Sequence, residues 1–294
     1  MPVPLANKTK LLALQSEFLR LKINKESLLK LIDETEITES VYNSNAIENS
    51  TLTLKETEKV LLELEINRDI TLREAYEAKN LASVIEYIRL QAPKEEINKE
   101  IILLLHKMLI GNIEDAIAGK FRQKDEYVRV GTHIAPAPEH IQHLIETLIT
   151  GYISDTNNFI TDKIARFHLE FERIHPFNDG NGRIGRVLIN YLLLRADFPP
   201  IIIFNKDKQR YYSAFSEYLD DKKTKILEKM IVLQLFESLH KWVAYLKGGE
   251  IITVADYARN HKLNIHALLN SARRQTIPAF REKGKWKLSL DFLD

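Results

Sequence analysis

The chain of 294 residues has no cysteine, which excludes disulfides and thiolate metal sites and fits a reducing compartment. It has no apolar run long enough to span a bilayer, so no membrane partner is expected. Its first residues, Met1-Pro2-Val3-Pro4-Leu5-Ala6-Asn7-Lys8, lack the basic-then-apolar layout of a secretory leader, and a cytoplasmic location is the expectation. Charge of one sign is missing as well. The 42 Lys and Arg stand against 41 Asp and Glu, for a formal net charge of +1, so nothing draws the whole molecule toward nucleic acid or anionic lipid. The nine histidines form no HExxH pattern or other zinc-like spacing. Neither an internal repeat nor a low-complexity segment occurs.

What is present is mostly helical periodicity. Leu11, Leu12, Leu14, Phe18, Leu19 and Leu21 begin an amphipathic helix. Thr53-Leu54-Lys55-Glu56 and Thr71-Leu72-Arg73-Glu74 are capping-box patterns ahead of apolar-periodic stretches. Residues 101–110 read as a buried helix stopped by Gly111-Asn112, with further helices over 141–152, 163–174, 184–196, 210–219 and 225–246. Tyr127-Val128-Arg129-Val130-Gly131-Thr132-His133-Ile134 carries β-branched residues around a glycine and predicts a short hairpin. An all-α core with one small hairpin is the simplest architecture. Gly248-Gly249 predicts a boundary. Beyond it, Thr253 caps a helix through Arg259, Asn264 caps another through Arg274, and residues 281–288 read as a hairpin with a glycine turn. Helix, helix, hairpin resembles a small winged helix. The expected organisation is a helical region over 1–110, a core over 111–247 and a winged-helix-like tail over 248–294.

The densest chemistry lies in His175-Pro176-Phe177-Asn178-Asp179-Gly180-Asn181-Gly182-Arg183-Ile184-Gly185-Arg186. Pro176 disfavours helix at His175, which places that ring in a turn after a helix. Gly180 and Gly182 bracket Asn181, so successive N–H groups can face one concavity, an anion nest. A helix-forming stretch follows at once, which sets the nest at a helix N-terminus. Arg183 and Arg186, three apart, share one face there and match phosphate oxygens. Asp179 is a carboxylate beside a phosphate cradle, the usual protein contribution to Mg²⁺. His175, neutral near pH 7, is available as a base. Phe177 reads as a core anchor for the loop.

This run resembles the Fic family signature, H-P-F-x-D-G-N-G-R-x-x-R, with every specified position matched. Ala165-Arg166-Phe167-His168 upstream, and Tyr211-Tyr212 after Pro199-Pro200, also look like a Fic core, and the resemblance covers most of 111–246 plus part of the N-terminal region. It implies AMP transfer from ATP to a Ser, Thr or Tyr hydroxyl of a target protein or of the chain itself, with release of pyrophosphate. His175 would then deprotonate the hydroxyl and Asp179 would hold Mg²⁺ on the phosphates. Gly180, Asn181 and Gly182 would cradle those phosphates, Arg183 would contact the chain and Arg186 the γ-phosphate. Phosphorylating relatives carry Lys in place of Gly182, so the glycine favours adenylylation.

Ser44-Asn45-Ala46-Ile47-Glu48-Asn49 resembles the Fic inhibitory pattern [S/T]-x-x-x-E-[G/N], placed ahead of the core. The resemblance implies that Glu48 pairs with Arg186 and denies it to the γ-phosphate. It also implies that the same Glu can assist AMP removal. Val128, Arg129, Val130, Gly131, Thr132 and His133 match the flap that aligns a target backbone as an added strand, with His133 a packing residue and not a second base. The resemblance also implies that Tyr211 and Tyr212 lie on the helix beside the adenine pocket. Adjacent helical positions diverge, so at most one faces the base.

An alternative stands beside the enzyme: a DNA-binding regulator with a nucleotide-sensing core. From Glu250 onward there are eight Lys and Arg against five Asp and Glu, and Arg273, Arg274, Lys283, Lys285 and Lys287 could meet phosphates. A protein-interaction or homodimerisation role for the tail is favoured over DNA, with Trp286 as its core anchor.

Overall fold

The structure, a computed structural model, describes residues 4–293. Its helices, in chain order, are α1 (Leu5–Leu21), α2 (Glu26–Ile47), α3 (Leu54–Leu61), α4 (Leu72–Gln91), α5 (Lys99–Ile110), α6 (Ile141–Ser154), α7 (Ile160–Ile174), α8 (Asn181–Arg195), α9 (Lys208–Asp221), α10 (Lys225–Lys247), α11 (Val254–Asn260) and α12 (Ile265–Arg274). Five short strands complete it: β1 (Arg129–Val130), β2 (His133–Ile134), β3 (Ile251–Thr253), β4 (Phe280–Glu282) and β5 (Lys285–Ser289). The protein is all-α with small antiparallel sheets, as the helical periodicity predicts. None of the described helices is long and apolar enough to cross a membrane.

The chain divides into two compact units. The larger takes in residues 37–196 and 202–228. Within it α7 packs on α6 and α8, and α4 packs on α5 and α8. Ile102, Leu105, Leu109, Ile164, Phe171, Ile184 and Leu188 are fully buried there, each stabilising the unit by about 1.5–3 kcal/mol relative to exposure. These side chains recur at helical spacing, which is why the pattern was readable.

Both capping boxes form. Thr53 accepts from the Glu56 N–H, Thr71 accepts from the Glu74 N–H, and each Glu accepts from its own cap in return. Glu74 does a second job: its other oxygen accepts from the N–H and hydroxyl of Thr51 at 2.8 and 2.7 Å. The start of α4 is thereby fastened to the segment leaving α2.

Three elements differ from the sequence reading. Helix α8 begins at Asn181, three residues before the expected Ile184, because Gly180 takes the left-handed cap (φ 82°) and lets the chain enter the helix at once. The flap hairpin has only two residues per strand, with Val130 opposite His133. In the second unit (4–36, 197–201 and 229–293), β3 pairs with β5 and widens the expected hairpin to three strands. There Thr253 and Asn264 cap α11 and α12 as read, and Lys283 and Gly284, both at positive φ, turn β4 into β5. Trp286 packs against the cluster of Val254, Tyr257, Ala272, Ala279 and Leu288.

Thr71→Ala removes an N-cap acceptor, and chemical denaturation should show a loss of about 1 kcal/mol. An unchanged midpoint would mean that the box adds nothing to the start of α4.

Candidate active site

The signature run wraps a cavity of about 490 Å³, within the range of roughly 300–1,000 Å³ usual for small-molecule sites. Glu48, Arg73, Glu77, His175, Asp179, Gly180, Asn181, Gly182 and Arg183 all line it. Their convergence from α2, α4, α7 and α8 is long-range.

His175 ends α7 in a left-handed conformation (φ 50°), its N–H donating to the Phe171 carbonyl at 2.9 Å. Burial pushes its pKa down to about 4, so the ring is neutral at pH 7 and can accept a proton. The turn after it is pinned by Arg122, which is 2 % exposed. That guanidinium donates to the carbonyls of His175 (2.8 Å), Glu126 (2.7 Å), Pro136 (2.9 Å) and Ile174 (3.4 Å). One cation thus joins the His175 turn to the stem of the hairpin. His133 adds a second tie, its Nε2 donating to the Arg173 carbonyl at 2.9 Å while the ring meets Phe215 edge-on. It packs the flap onto α7 and is not a base in the cavity.

The loop from Phe177 to Asn181 is closed by Asn181, whose amide accepts from the Phe177 N–H (2.9 Å) and donates to the Phe177 carbonyl (2.7 Å). His106, from α5, stacks on Phe177 with ring centroids 3.7 Å apart. Its Nδ1 accepts from the Gly119 N–H at 3.0 Å, so Nε2 carries the proton and donates to the Asp179 carbonyl at 3.0 Å. Burial holds this ring's pKa down near 4 as well.

Asp179 is one-third exposed. Its Oδ1 accepts from the Gly180 N–H at 2.6 Å and from Arg183 at 3.2 Å, and its Oδ2 pairs with Arg73. Burial works to raise its pKa, but Arg183, the Gly180 N–H and Arg73 together hold it below the usual carboxylate value. Arg183, 3 % exposed, also pairs with Glu77 at 3.1 Å.

Arg186, 6 % exposed, is fully engaged on one side. Nε donates to the Ser44 hydroxyl at 2.9 Å, and Nη2 donates to the Ser44 carbonyl at 2.9 Å and to Glu48 Oε1 at 2.8 Å. Burial opposes its charge, and the Glu48 carboxylate outweighs that, so its pKa is raised. A Cβ on residue 182 would collide with the same Glu48 oxygen, so a side chain there would displace that carboxylate. Asn49 follows at φ 70°, a left-handed position that Asn tolerates and that ends α2 just beyond Glu48.

Tyr211 is buried, with its hydroxyl 2.7 Å from His168 Nε2 and its ring 5.8 Å from the Arg186 guanidinium carbon. Tyr212 is more exposed and donates to the Ile47 carbonyl at 3.1 Å. Neither lines the cavity of the signature run. Sequence reasoning missed His106, Arg122, Arg73 and Glu77. A histidine inside the apolar run 101–110 was the one available signal.

Residues 96–193 match the Fic/DOC family. The protein adenylyltransferase Fic of Culex quinquefasciatus is 30 % identical over 189 residues, 63 % of this chain and 37 % of that protein. That of Drosophila grimshawi is 33 % identical over 175 residues, 58 % and 36 % respectively. A Fic-domain-containing signalling protein of Bacteroides thetaiotaomicron superposes with a TM-score of 0.72 at 25 % identity, covering 82 % of this chain and 97 % of that one. The chain therefore carries a Fic/DOC family domain, built on the Fic helical core. It spans little more than a third of the length of these two curated relatives.

Arg122→Ala strands four carbonyls and should lower the unfolding free energy by about 2–4 kcal/mol, read by chemical denaturation. Acidification should also destabilise the protein. His106, His168 and His175 stay neutral when folded down to about 4, 3 and 4, whereas unfolded rings take up protons near about 6.5. Their contribution is complete above that value and is lost progressively as pH falls from there through the folded values of about 4, 3 and 4. Glu172, pushed up to about 8 by burial, acts oppositely: its contribution is complete below about 4.5 and is lost as pH rises through about 8. Three rings against one carboxyl give a net loss on titration from pH 6.5 to 4.5, and stability flat or rising over that interval would contradict this.

Proposed function

We propose that the chain is a protein adenylyltransferase, moving AMP from ATP onto a Ser, Thr or Tyr hydroxyl of a target protein or of itself, and that it rests in a self-restrained state. The observation that carries the reading is one cavity shared by a neutral histidine, an ionised aspartate, a glycine-bounded helix N-terminus and a guanidinium. His175 takes the proton of the target hydroxyl. Its oxygen bonds to the α-phosphorus of ATP, the bond to the pyrophosphate oxygen breaks, and pyrophosphate leaves. Asn181 and Gly182, behind the Gly180 cap, present the first N–H groups of α8 to the phosphates, and Arg183 neutralises their charge.

No group of three or more His, Cys, Asp or Glu side chains among the described residues could hold a metal. The donor set still fits Mg²⁺, which commonly takes one carboxylate together with substrate phosphates and water. Asp179 is that carboxylate, held ionised and partly open to the cavity. When bound, the ion would neutralise charge on the phosphates.

Restraint follows from Arg186. Its Nε and Nη2 are committed to Ser44 and Glu48, so a γ-phosphate takes Nη2 only by displacing Glu48. Because Glu48 lines the same cavity as His175, a second reading has that carboxylate assist hydrolytic removal of AMP. The tail, read as winged-helix-like, is assigned to protein contact or homodimerisation. DNA retardation without label transfer would favour the regulator instead.

Incubation with labelled ATP and Mg²⁺ tests the reading. Glu48→Gly should raise protein-bound AMP at least about tenfold, the effect of about 1.4 kcal/mol, and adding His175→Ala should abolish it. Label that persists without His175 would overturn the base assignment, and equal labelling with and without Glu48 would overturn the restraint.

A further inference from the structure

Arg73 has no role in the reading above, yet it sits on the proposed metal carboxylate. It occupies the second position of α4, inside the turn capped by Thr71. A cation there opposes the helix dipole, so its charge is offset by carboxylates: Glu77 at 3.1 Å one turn on, and Asp179 Oδ2 across the cavity. Asp179 Oδ1 is already taken by Arg183, and Arg183 also holds Glu77. Two arginines and two carboxylates thus close a neutral four-membered ring at the cavity wall. A divalent ion arriving alone at Asp179 would meet two guanidiniums within ion-pair distance and gain no new anion. A phosphate chain reverses that balance by supplying several negative oxygens at once.

The two arginines differ in freedom. The Arg183 side chain is 3 % exposed and fixed by its surroundings, whereas that of Arg73 is 51 % exposed. Only the second can swing away without leaving a buried charge unpaired, and the cavity it lines holds the site where phosphate would lie.

We infer that Arg73 is a resident counter-cation of Asp179, a positioning residue that excludes free divalent metal and yields the carboxylate only to metal arriving with nucleotide phosphate. The inference rests on the assignment of Asp179 as the metal carboxylate. It makes the metal–nucleotide complex, not the bare ion, the species the site admits.

The test is titration of the nucleotide-free full chain with Mn²⁺, following loss of the free-ion signal by electron paramagnetic resonance. Arg73→Gln should bind Mn²⁺ about fivefold more tightly than the wild type, the size expected for release of a half-exposed ion pair. Arg73→Lys, which keeps the charge, should stay near wild type, and Arg73→Gln/Asp179→Asn should lose the gain. Equal affinity in wild type and Arg73→Gln, absence of measurable binding in both, or a gain that survives loss of Asp179 would each overturn the inference. Because no turnover is read, these outcomes are independent of whether His175-dependent AMP transfer is observed.

Discussion

A buried guanidinium needs an anion, and the candidate site is arranged around that need at Arg186. Removing one partner of such a pair typically costs about 3–5 kcal/mol, because a charge is left uncompensated in a poorly solvated place. Behind Arg186 stand Tyr211, His168 and Glu172. Burial pushes the Glu172 pKa up to about 8, so it is protonated at neutral pH and supplies little counter-charge. His168, pushed down to about 3, is neutral too. The balance falls to Glu48, reached from α2. In the proposed mechanism the γ-phosphate is the other anion able to satisfy this cation, and two anions competing for one buried charge make a switch with two discrete positions.

The rest of the site is held still by buried polar contacts. Asn181 closes the signature loop on the backbone of Phe177, His106 stacks beneath it and holds the Asp179 carbonyl, and Arg122 gathers four carbonyls around the His175 turn. Buried polar networks of this kind are costly when incomplete and rigid when satisfied. Rigidity suits a reaction whose catalysis depends on placing charge and not on covalent chemistry. The Arg73 side chain is the exposed exception, half open to solvent and reaching Asp179 from another helix.

What was legible in the sequence was local or modular. Thr53, Thr71, Thr253 and Asn264 announced caps that formed, because a cap is a contact across three residues. The signature run was legible because its glycines, arginines and carboxylate sit within eight consecutive residues. The pairing of Glu48 with Arg186 bridges 138 positions and came from family resemblance, not from any local pattern. Arg122, Arg73 and Glu77 carry no local signal: an arginine in a loop or an ion pair on a helix reads as solvated until the tertiary fold supplies its partner. The start of α8 was misplaced for a different reason. A glycine ahead of a helix reads as loop, but at φ 82° Gly180 is the cap itself, and Asn181 and Gly182 already belong to the first turn.

The central claim, that Glu48 and a terminal phosphate compete for Arg186, is tested most directly by calorimetry comparing ATP with ADP, which lacks the γ-phosphate. With Glu48 present the two should bind alike, and in Glu48→Gly the affinity for ATP should rise well above that for ADP. A preference for ATP of the same size in both proteins would show that Arg186 is not what Glu48 withholds.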